Sequence, residues 1–297
     1  MWDPDQYQRF AGERARPFFE LVARVGATDP HLVADLGCGP GELTAALASR
    51  WPGADVAGVD SSPEMIRAAR ALPAAGDTPA PAGAQAEAGP GAGPGAGAGA
   101  RAGGGAGARA GGRGAAAGRL SFILADLREW QPERAVDVIV SNAALQWVPD
   151  HLAVLSRWPG MLAAGGWLAF QVPGNFDQPS HQILTELASS PRWRPQLRDV
   201  QLNRQAGQPA EYLDLLARAG CDVDAWETTY LHVLQGADPV LDWYKGTGLR
   251  PVLAALGPEL AGEFLAEYGA RAREAYPAAP YGTILPFRRI FVVASRR

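Results

Sequence analysis

Near the N-terminus a short apolar run, His31-Leu-Val-Ala-Asp-Leu36, breaks into Gly37-Cys-Gly-Pro-Gly41 and gives way at once to a helix-forming stretch from Glu42 to Arg50. A strand that ends in a glycine turn and feeds a helix is the opening of a parallel α/β unit, because neighbouring parallel strands need a crossover between them. The pattern recurs. Asp55-Val-Ala-Gly-Val-Asp60 is a second buried strand, and Ser62-Pro63-Glu64 opens a helix with Ser62 as its cap and Pro63 in the first turn. Leu120-Ser-Phe-Ile-Leu124, Ala135 to Ser141 and Gly165 to Val172 supply three more strands, with a helix from His151 to Trp158 between the last two. This alternation predicts an α/β fold built on a Rossmann-like, mostly parallel sheet with helices on both faces.

The second half is less regular. A helix is expected over Glu211 to Ala219, closed by Gly220, then a partly exposed strand from Val223 to Leu234. Pro251 to Leu256 and Glu259 to Tyr276 read as helices, and Phe287-Arg-Arg-Ile-Phe-Val-Val-Ala294 as a final strand. A further helix is expected at the start, from about Pro4 to Arg24. The helices outside the alternating core carry spare apolar and aromatic residues, which suits a cap over one domain spanning 1–297, formed by segments 1–20, 176–208 and 238–282.

One stretch departs from this. Residues 74–118 hold 16 Gly and 18 Ala, with Pro79, Pro81, Pro90 and Pro94 among the rest. So few side chains bury too little apolar area to offset about 1–2 kcal/mol of backbone entropy per ordered residue, and an unordered insertion is expected. Its glycines have no strand before and helix after them, so they do not form a phosphate cradle.

Charge and cysteine usage exclude several classes. With 27 basic against 31 acidic residues the net charge is −4, so a nucleic-acid partner held by phosphate contacts is disfavoured. The two cysteines, Cys38 and Cys221, are far apart in sequence, which removes a disulfide scaffold and a thiolate-rich metal site. No apolar leader opens the sequence and no long uninterrupted apolar stretch follows, so a cytoplasmic protein without a membrane span is expected, and a monomer is compatible with the sequence.

The chemistry concentrates at the carboxyl ends of the first four strands, where open parallel sheets bind ligands. Gly37, Gly39 and Gly41 let a ligand approach the backbone and offer N–H groups to it, or else serve only a tight strand-to-helix joint. Their every-second-residue spacing differs from G-x-G-x-x-G, and Asp35 and Glu42 would oppose a pyrophosphate, so a ligand with a cationic ammonium and sulfonium centre fits better than a dinucleotide. Asp60 is placed to accept two ribose hydroxyls, or is a solvated strand end. Asp126 could accept from an adenine amino group with Leu127 over the ring, or form a turn. Asn142, Gln146 and Trp147, in Ser141-Asn-Ala-Ala-Leu-Gln-Trp147, face the reaction space or pack the next helix.

As an ordered set, Asp35 to Gly41, Asp60, Ala125-Asp126 and Asn142 to Trp147 resemble the class I S-adenosylmethionine-dependent methyltransferases, from about Leu32 to Val172. Within that superfamily the chain is similar to the carboxyl methyltransferases that esterify trans-aconitate. That likeness rests on Met1 to Phe10, Arg14 to Phe19, Ser141 to Pro149, Gln171 to Asn175, Gly246-Thr-Gly-Leu-Arg-Pro251 and Leu285 to Ala294. The resemblance implies a seven-stranded sheet whose last strand is antiparallel, and S-adenosylmethionine as methyl donor with S-adenosylhomocysteine as product. It implies that Asp35, Gly37 and Gly39 line the methionine end, Asp60 holds the ribose, and Asp126 with Leu127 holds adenine. Asn142 and Ala143 supply backbone beside the sulfonium, and Tyr7 and Phe10 close over the methyl donor. Family members join the second helix to the third strand directly, so 74–118 is a departure from the pattern.

The implied substrate is a small tricarboxylate. A carboxylate is already ionised at neutral pH and needs no base, only alignment and exclusion of water, which agrees with the absence of any spaced pairing among His31, His151, His181 and His232. No catalytic base and no metal are expected. Positive charge is needed for the carboxylates that are not methylated, and arginine suits them by bidentate geometry. The candidates are Arg14, Arg250, Arg288 and Arg289, with Arg192, Arg194, Arg198 and Lys245 behind them; Gln146, Trp147, Trp243 and Tyr244 are candidate walls. Arg288 and Arg289 alternate across a strand, so at most one reaches a given pocket. The competing readings are methylation of another small acid or natural product, an NAD-dependent oxidoreductase, and a binding protein with a silent cofactor fold.

Overall fold

A computed structural model describes residues 11–72, 118–200, 202 and 206–297, with side chains from residue 15 onward. The expected insertion at 74–118, apart from Gly118, lies outside the described residues, as does the start of the first helix. The sheet order is β3-β2-β1-β4-β5-β8-β6. Its strands are β1 (Leu32–Leu36), β2 (Asp55–Asp60), β3 (Leu120–Leu124), β4 (Val136–Asn142), β5 (Leu162–Pro173), β6 (Cys221–Leu234) and β8 (Gly282–Arg296). A two-residue strand, β7 (Ala278–Ala279), pairs beside β8. Strands β1 to β5 run parallel, and β8 pairs antiparallel with both β5 and β6, so the last strand is reversed between two neighbours. The expected α/β sheet with an antiparallel final strand is what forms.

The reason lies in side-chain distribution. Val136, Val138, Ile139 and Val140 of β4 are all fully buried, as a central strand covered on both faces requires. On one face α1 (Ala11–Val22) and α2 (Glu42–Arg50) bury Phe18, Leu21 and Leu47 against Val33, Val138 and Phe291. On the other, α4 (His151–Leu155), α5 (Trp158–Met161) and α8 (Pro209–Arg218) bury Leu155, Trp158 and Tyr212 against Leu36, Ile139 and Phe170. The helix α3 (Pro63–Arg70) starts as the sequence implies, with the Ser62 hydroxyl accepting from the Met65 N–H and Pro63 in the first turn.

A third apolar cluster sits beyond the carboxyl ends of the strands. Here α6 (Pro179–Ser189), α7 (Arg194–Leu197), α9 (Pro239–Lys245) and α10 (Arg250–Ala275) pack around Trp193, Trp243, Phe264 and Tyr268 with Leu285 and Phe287 of β8. The two helices expected from Pro251 to Tyr276 are the two arms of α10, which bends at Gly257, where φ is 72° and Pro258 follows. β6 and β8 are longer than the sequence pattern indicates, 14 and 15 residues, and their far ends carry the sheet up into this cluster.

Candidate active site

β1 and β4 are adjacent, while the chain leaves β1 for β2 on the other side, so the strand order reverses there. At that switch point opens a cavity of about 630 Å³, a size typical of a small-ligand site. Its floor is the glycine turn and the ends of β1, β2 and β4; its roof is the helical cluster, through Trp243, Tyr244, Gly246 to Gly248 and Arg250.

The floor is built from four acidic residues, Asp35, Glu42, Asp60 and Asp126, and a turn of left-handed glycines. Gly37, Gly39 and Gly41 have φ of 82°, 55° and 86°, conformations that L side chains rarely adopt. The roles of the glycines differ. A Cβ on Gly37 would come within 2.3 Å of the Ala144 methyl, whereas one on Gly39 would meet nothing within 4 Å and would project into open space. The N–H groups of the turn are not available to a ligand: Gly37 and Cys38 donate to Val59 O, Gly39 to Asp60 and Gly41 to Cys38 O. The sequence-based expectation of N–H donors at this turn is therefore corrected. Its contribution is room beside carboxylates, which disfavours a pyrophosphate further.

Asp35 is buried and accepts from the Thr44 hydroxyl at 2.7 Å. Burial, with a smaller push from Asp60 and against the Thr44 bond, raises its pKa to about 6. A cation arriving in the cavity would favour its ionised form. Asp60 accepts the Gly39 N–H at 2.9 Å and the Ser62 N–H at 2.8 Å, one on each oxygen, so each oxygen retains a lone pair. Asp126 is paired with Arg128, whose Nε and Nη2 and backbone N–H all donate to its carboxylate, and that pairing holds its pKa below the ordinary range. For Asp126 to meet a ligand amino group, this exposed pair must open, which costs little at the surface.

All seven candidate cofactor residues, Asp35, Gly37, Gly39, Asp60, Asp126, Leu127 and Asn142, line this one cavity. So do Gln146, Trp147, Trp243, Arg250 and Arg289. Tyr7 and Phe10 lie outside the described residues, as does the side chain of Arg14. Arg288 does not reach the cavity, and this corrects its candidacy. It pairs with Glu227 and donates to Gly174 O and the Gln208 side chain, because alternation along β8 turns it to the face opposite Arg289. Arg192 is likewise engaged elsewhere, with Glu263 and Glu267. Arg289 is buried, donates to Gln171 Oε1 at 3.1 Å and lies over the Phe287 ring.

Two lining groups, Asn175 and His181, were missed, whereas Tyr244, Gln146 and Ala143 were anticipated. Asn175, buried at the end of β5, donates to the Tyr244 hydroxyl at 3.0 Å, and its Oδ1 has no partner among the described residues. The Tyr244 hydroxyl also accepts from Ser180 at 2.8 Å, and burial raises its pKa, keeping it protonated. Gln146 donates to Ala143 O at 2.5 Å, leaving its own buried Oε1 without a partner among the described residues. Ala143 holds a left-handed φ of 52°, a strained setting for a residue with a Cβ, in the cavity wall. His181 lines the cavity edge-on to Tyr244 and Phe176. A lone amide and a lone histidine carry no spacing signal, so only the quoted family segment Gln171 to Asn175 could have pointed to Asn175, and no signal in the sequence pointed to His181. Among the described residues no group of three His, Cys, Asp or Glu is arranged to hold a metal, and no helix is long and apolar enough to cross a membrane.

A doubly wound sheet with one reversed terminal strand, carrying acidic residues at its switch point and a roofed cavity above them, defines a class I methyltransferase. A family described as a methyltransferase domain matches residues 7–225. The chain is 50% identical to a trans-aconitate 2-methyltransferase of Streptomyces avermitilis over 298 residues, covering 99% of this chain and 97% of that one. It is 47% identical to a trans-aconitate 2-methyltransferase of Rhodococcus jostii, covering 99% of each. The YcgJ protein of Bacillus subtilis shares the fold, with a TM-score of 0.52 at 13% identity over 95% of this chain and 98% of that one. The chain belongs to the trans-aconitate 2-methyltransferase family.

Proposed function

We propose that the protein is an S-adenosylmethionine-dependent carboxyl O-methyltransferase that converts trans-aconitate to its monomethyl ester, with S-adenosylhomocysteine as the second product. The observation that carries this reading is a single cavity joining the carboxylate-lined glycine turn to two arginines, Arg250 and Arg289, from separate elements. A natural-product pocket would be mostly apolar at that end, and a dinucleotide site would keep free N–H donors in the turn. When bound, the cofactor supplies a methyl group made electrophilic by a sulfonium. The residues present fit it. Asp35 offers a buried carboxylate to a cationic centre, Gly39 leaves space, Asp60 retains acceptor capacity for ribose hydroxyls, and Asp126 with Leu127 borders the adenine end.

The acceptor side follows from charge. Arg289 is already oriented by Gln171, and Arg250 approaches from the first turn of α10, so two carboxylates of a tricarboxylate are held while a third is presented. The nucleophile needs no proton removed, so the chain's task is orientation and exclusion of water. Trp243, Phe287 and Tyr244 supply apolar walls, with Tyr244 held by Ser180. We read segments 1–20, 176–208 and 238–282 as the cap that completes this enclosure on a single domain, with Tyr7, Phe10 and Arg14 contributed by its first part. A cytoplasmic site of action belongs to the reading and is supported by two buried free thiols, Cys38 and Cys221. Incubation with methyl-labelled S-adenosylmethionine and trans-aconitate is expected to give a labelled monomethyl ester and an equimolar amount of S-adenosylhomocysteine. Cofactor binding with no labelled ester would contradict the acceptor assignment.

A further inference from the structure

Between the arginine of the acceptor end and the cofactor end runs a chain of side chains on adjacent strands. Arg289 Nη1 donates to Gln171 Oε1 at 3.1 Å, and Gln171 Nε2 donates to Asn142 Oδ1 at 2.5 Å. Gln171 is itself buried and does not line the cavity, whereas Arg289 and Asn142 both do. The polarity of this chain has one solution. A guanidinium only donates, so the group that Gln171 turns towards Arg289 must be its oxygen. Its nitrogen then faces Asn142 and demands the Asn142 oxygen, which leaves the Asn142 Nδ2 as the outward group, with no protein partner among the described residues. The Gln171 backbone acts on the same wall, because its carbonyl accepts the N–H of the strained Ala143 at 2.9 Å.

We infer that Gln171 is a positioning residue that fixes the Asn142 amide as an N–H donor to the reacting carboxylate, using Arg289 as the reference for its direction. The inference rests on the carboxyl-methylation reading. It joins the two ends of the cavity: Arg289 holds a carboxylate that does not react, and Asn142 Nδ2 steadies the one that does. An inverted Asn142 amide would direct an oxygen at an anion. The role of Gln171 is thus visible in turnover more than in cofactor binding, since the backbone at Asn142 and Ala143 is unaffected by which way the amide points.

The test compares Gln171→Glu with Gln171→Met, both close to isosteric. In Gln171→Glu the partner of Asn142 becomes an acceptor, so the Asn142 amide inverts while Arg289 keeps a carboxylate partner. The expected result is a fall in kcat of about 10- to 100-fold, with a rise in KM for trans-aconitate as well, because the new carboxylate pairs the Arg289 charge. In Gln171→Met both neighbours lose their partner, and kcat falls together with a rise in KM. Calorimetric affinity for S-adenosylhomocysteine should stay within about twofold in both, the signature that separates positioning from a collapsed site. If both variants bind S-adenosylhomocysteine normally and keep wild-type kcat and KM, the inference is overturned while carboxyl methylation stands. If wild type itself esterifies no polycarboxylate, both fall. Should either variant fail to bind S-adenosylhomocysteine, Asn142→Asp decides: a loss of kcat with retained cofactor binding supports the donor role, and unchanged kcat overturns it.

Discussion

Asp35 carries opposing demands at the scale of a single residue. Its carboxyl is buried and titrates near 6, above its ordinary value of 3.8, so the free protein is most stable while Asp35 is protonated. That contribution is complete below about pH 4 and is lost as pH rises through about 6. A shift of two units corresponds to about 3 kcal/mol of penalty on the ionised form at pH 7.5. Asp35→Asn keeps an acceptor for Thr44 and removes the ionisation, so the ligand-free variant should gain on the order of 2 kcal/mol in urea unfolding at pH 7.5. It should also lose most of its affinity for S-adenosylmethionine. In wild type that affinity should rise as pH increases through 6; affinity flat from pH 5 to 8 would remove Asp35 from the cationic end. The arginines divide similarly. Arg289→Ala or Arg250→Ala should each raise the KM for trans-aconitate roughly 10- to 100-fold, the worth of a charge-assisted carboxylate contact. Arg288→Ala should change KM less than about threefold, since its partners are Glu227 and Gln208 at the surface.

Elements explain which features could be read from the residues alone. The strands were legible because β1, β2 and β4 are short apolar runs ending at Leu36, Asp60 and Asn142, and the bend of α10 was legible because Gly257-Pro258 cannot continue a helix. The full length of β8 was not, since Pro286 and Gly282 interrupt the apolar pattern before Phe287, and that stretch is held as a strand by pairing with β6, Leu231 beside Pro286 and Leu234 beside Thr283. Period-two alternation said that Arg288 and Arg289 part company; only the position of β8 between β5 and β6 says that 289 is the inward one. Gln171 and Asn175 stood in a family segment with no role attached to either, because a buried amide is defined by partners from other strands and helices. The glycine turn gives a second contrast at this scale. Gly37→Ala should destabilise the fold, as its methyl would fall 2.3 Å from that of Ala144 at a φ of 82°. Gly39→Ala has only the left-handed penalty of roughly 1–2 kcal/mol and should fold, yet bind cofactor weakly, because its methyl enters the open cavity. Thermal unfolding and calorimetry together check the pair; equal losses of stability in the two would contradict the division.

Across the whole molecule, one continuous sheet lets a cofactor floor and an acceptor roof share a cavity. The floor comes from the carboxyl ends of parallel strands, while the reversed β8 brings Phe287 and Arg289 in from the opposite direction beside β5. The roof helices have their own apolar core around Trp193, Trp243 and Phe264, so they can hold Arg250 and Tyr244 in place without disturbing the floor. On the proposed reading specificity resides in charge: two arginines above a methyl-donor site would discriminate by how many carboxylates a ligand brings. The most direct test is the ratio of kcat/KM for trans-aconitate to that for an unsaturated monocarboxylate of similar length, measured at fixed saturating S-adenosylmethionine. Two lost arginine contacts predict a preference on the order of a thousandfold for the tricarboxylate. Comparable turnover of the two acids would mean that the arginines do not read the substrate, and the acceptor would have to be sought outside the polycarboxylates.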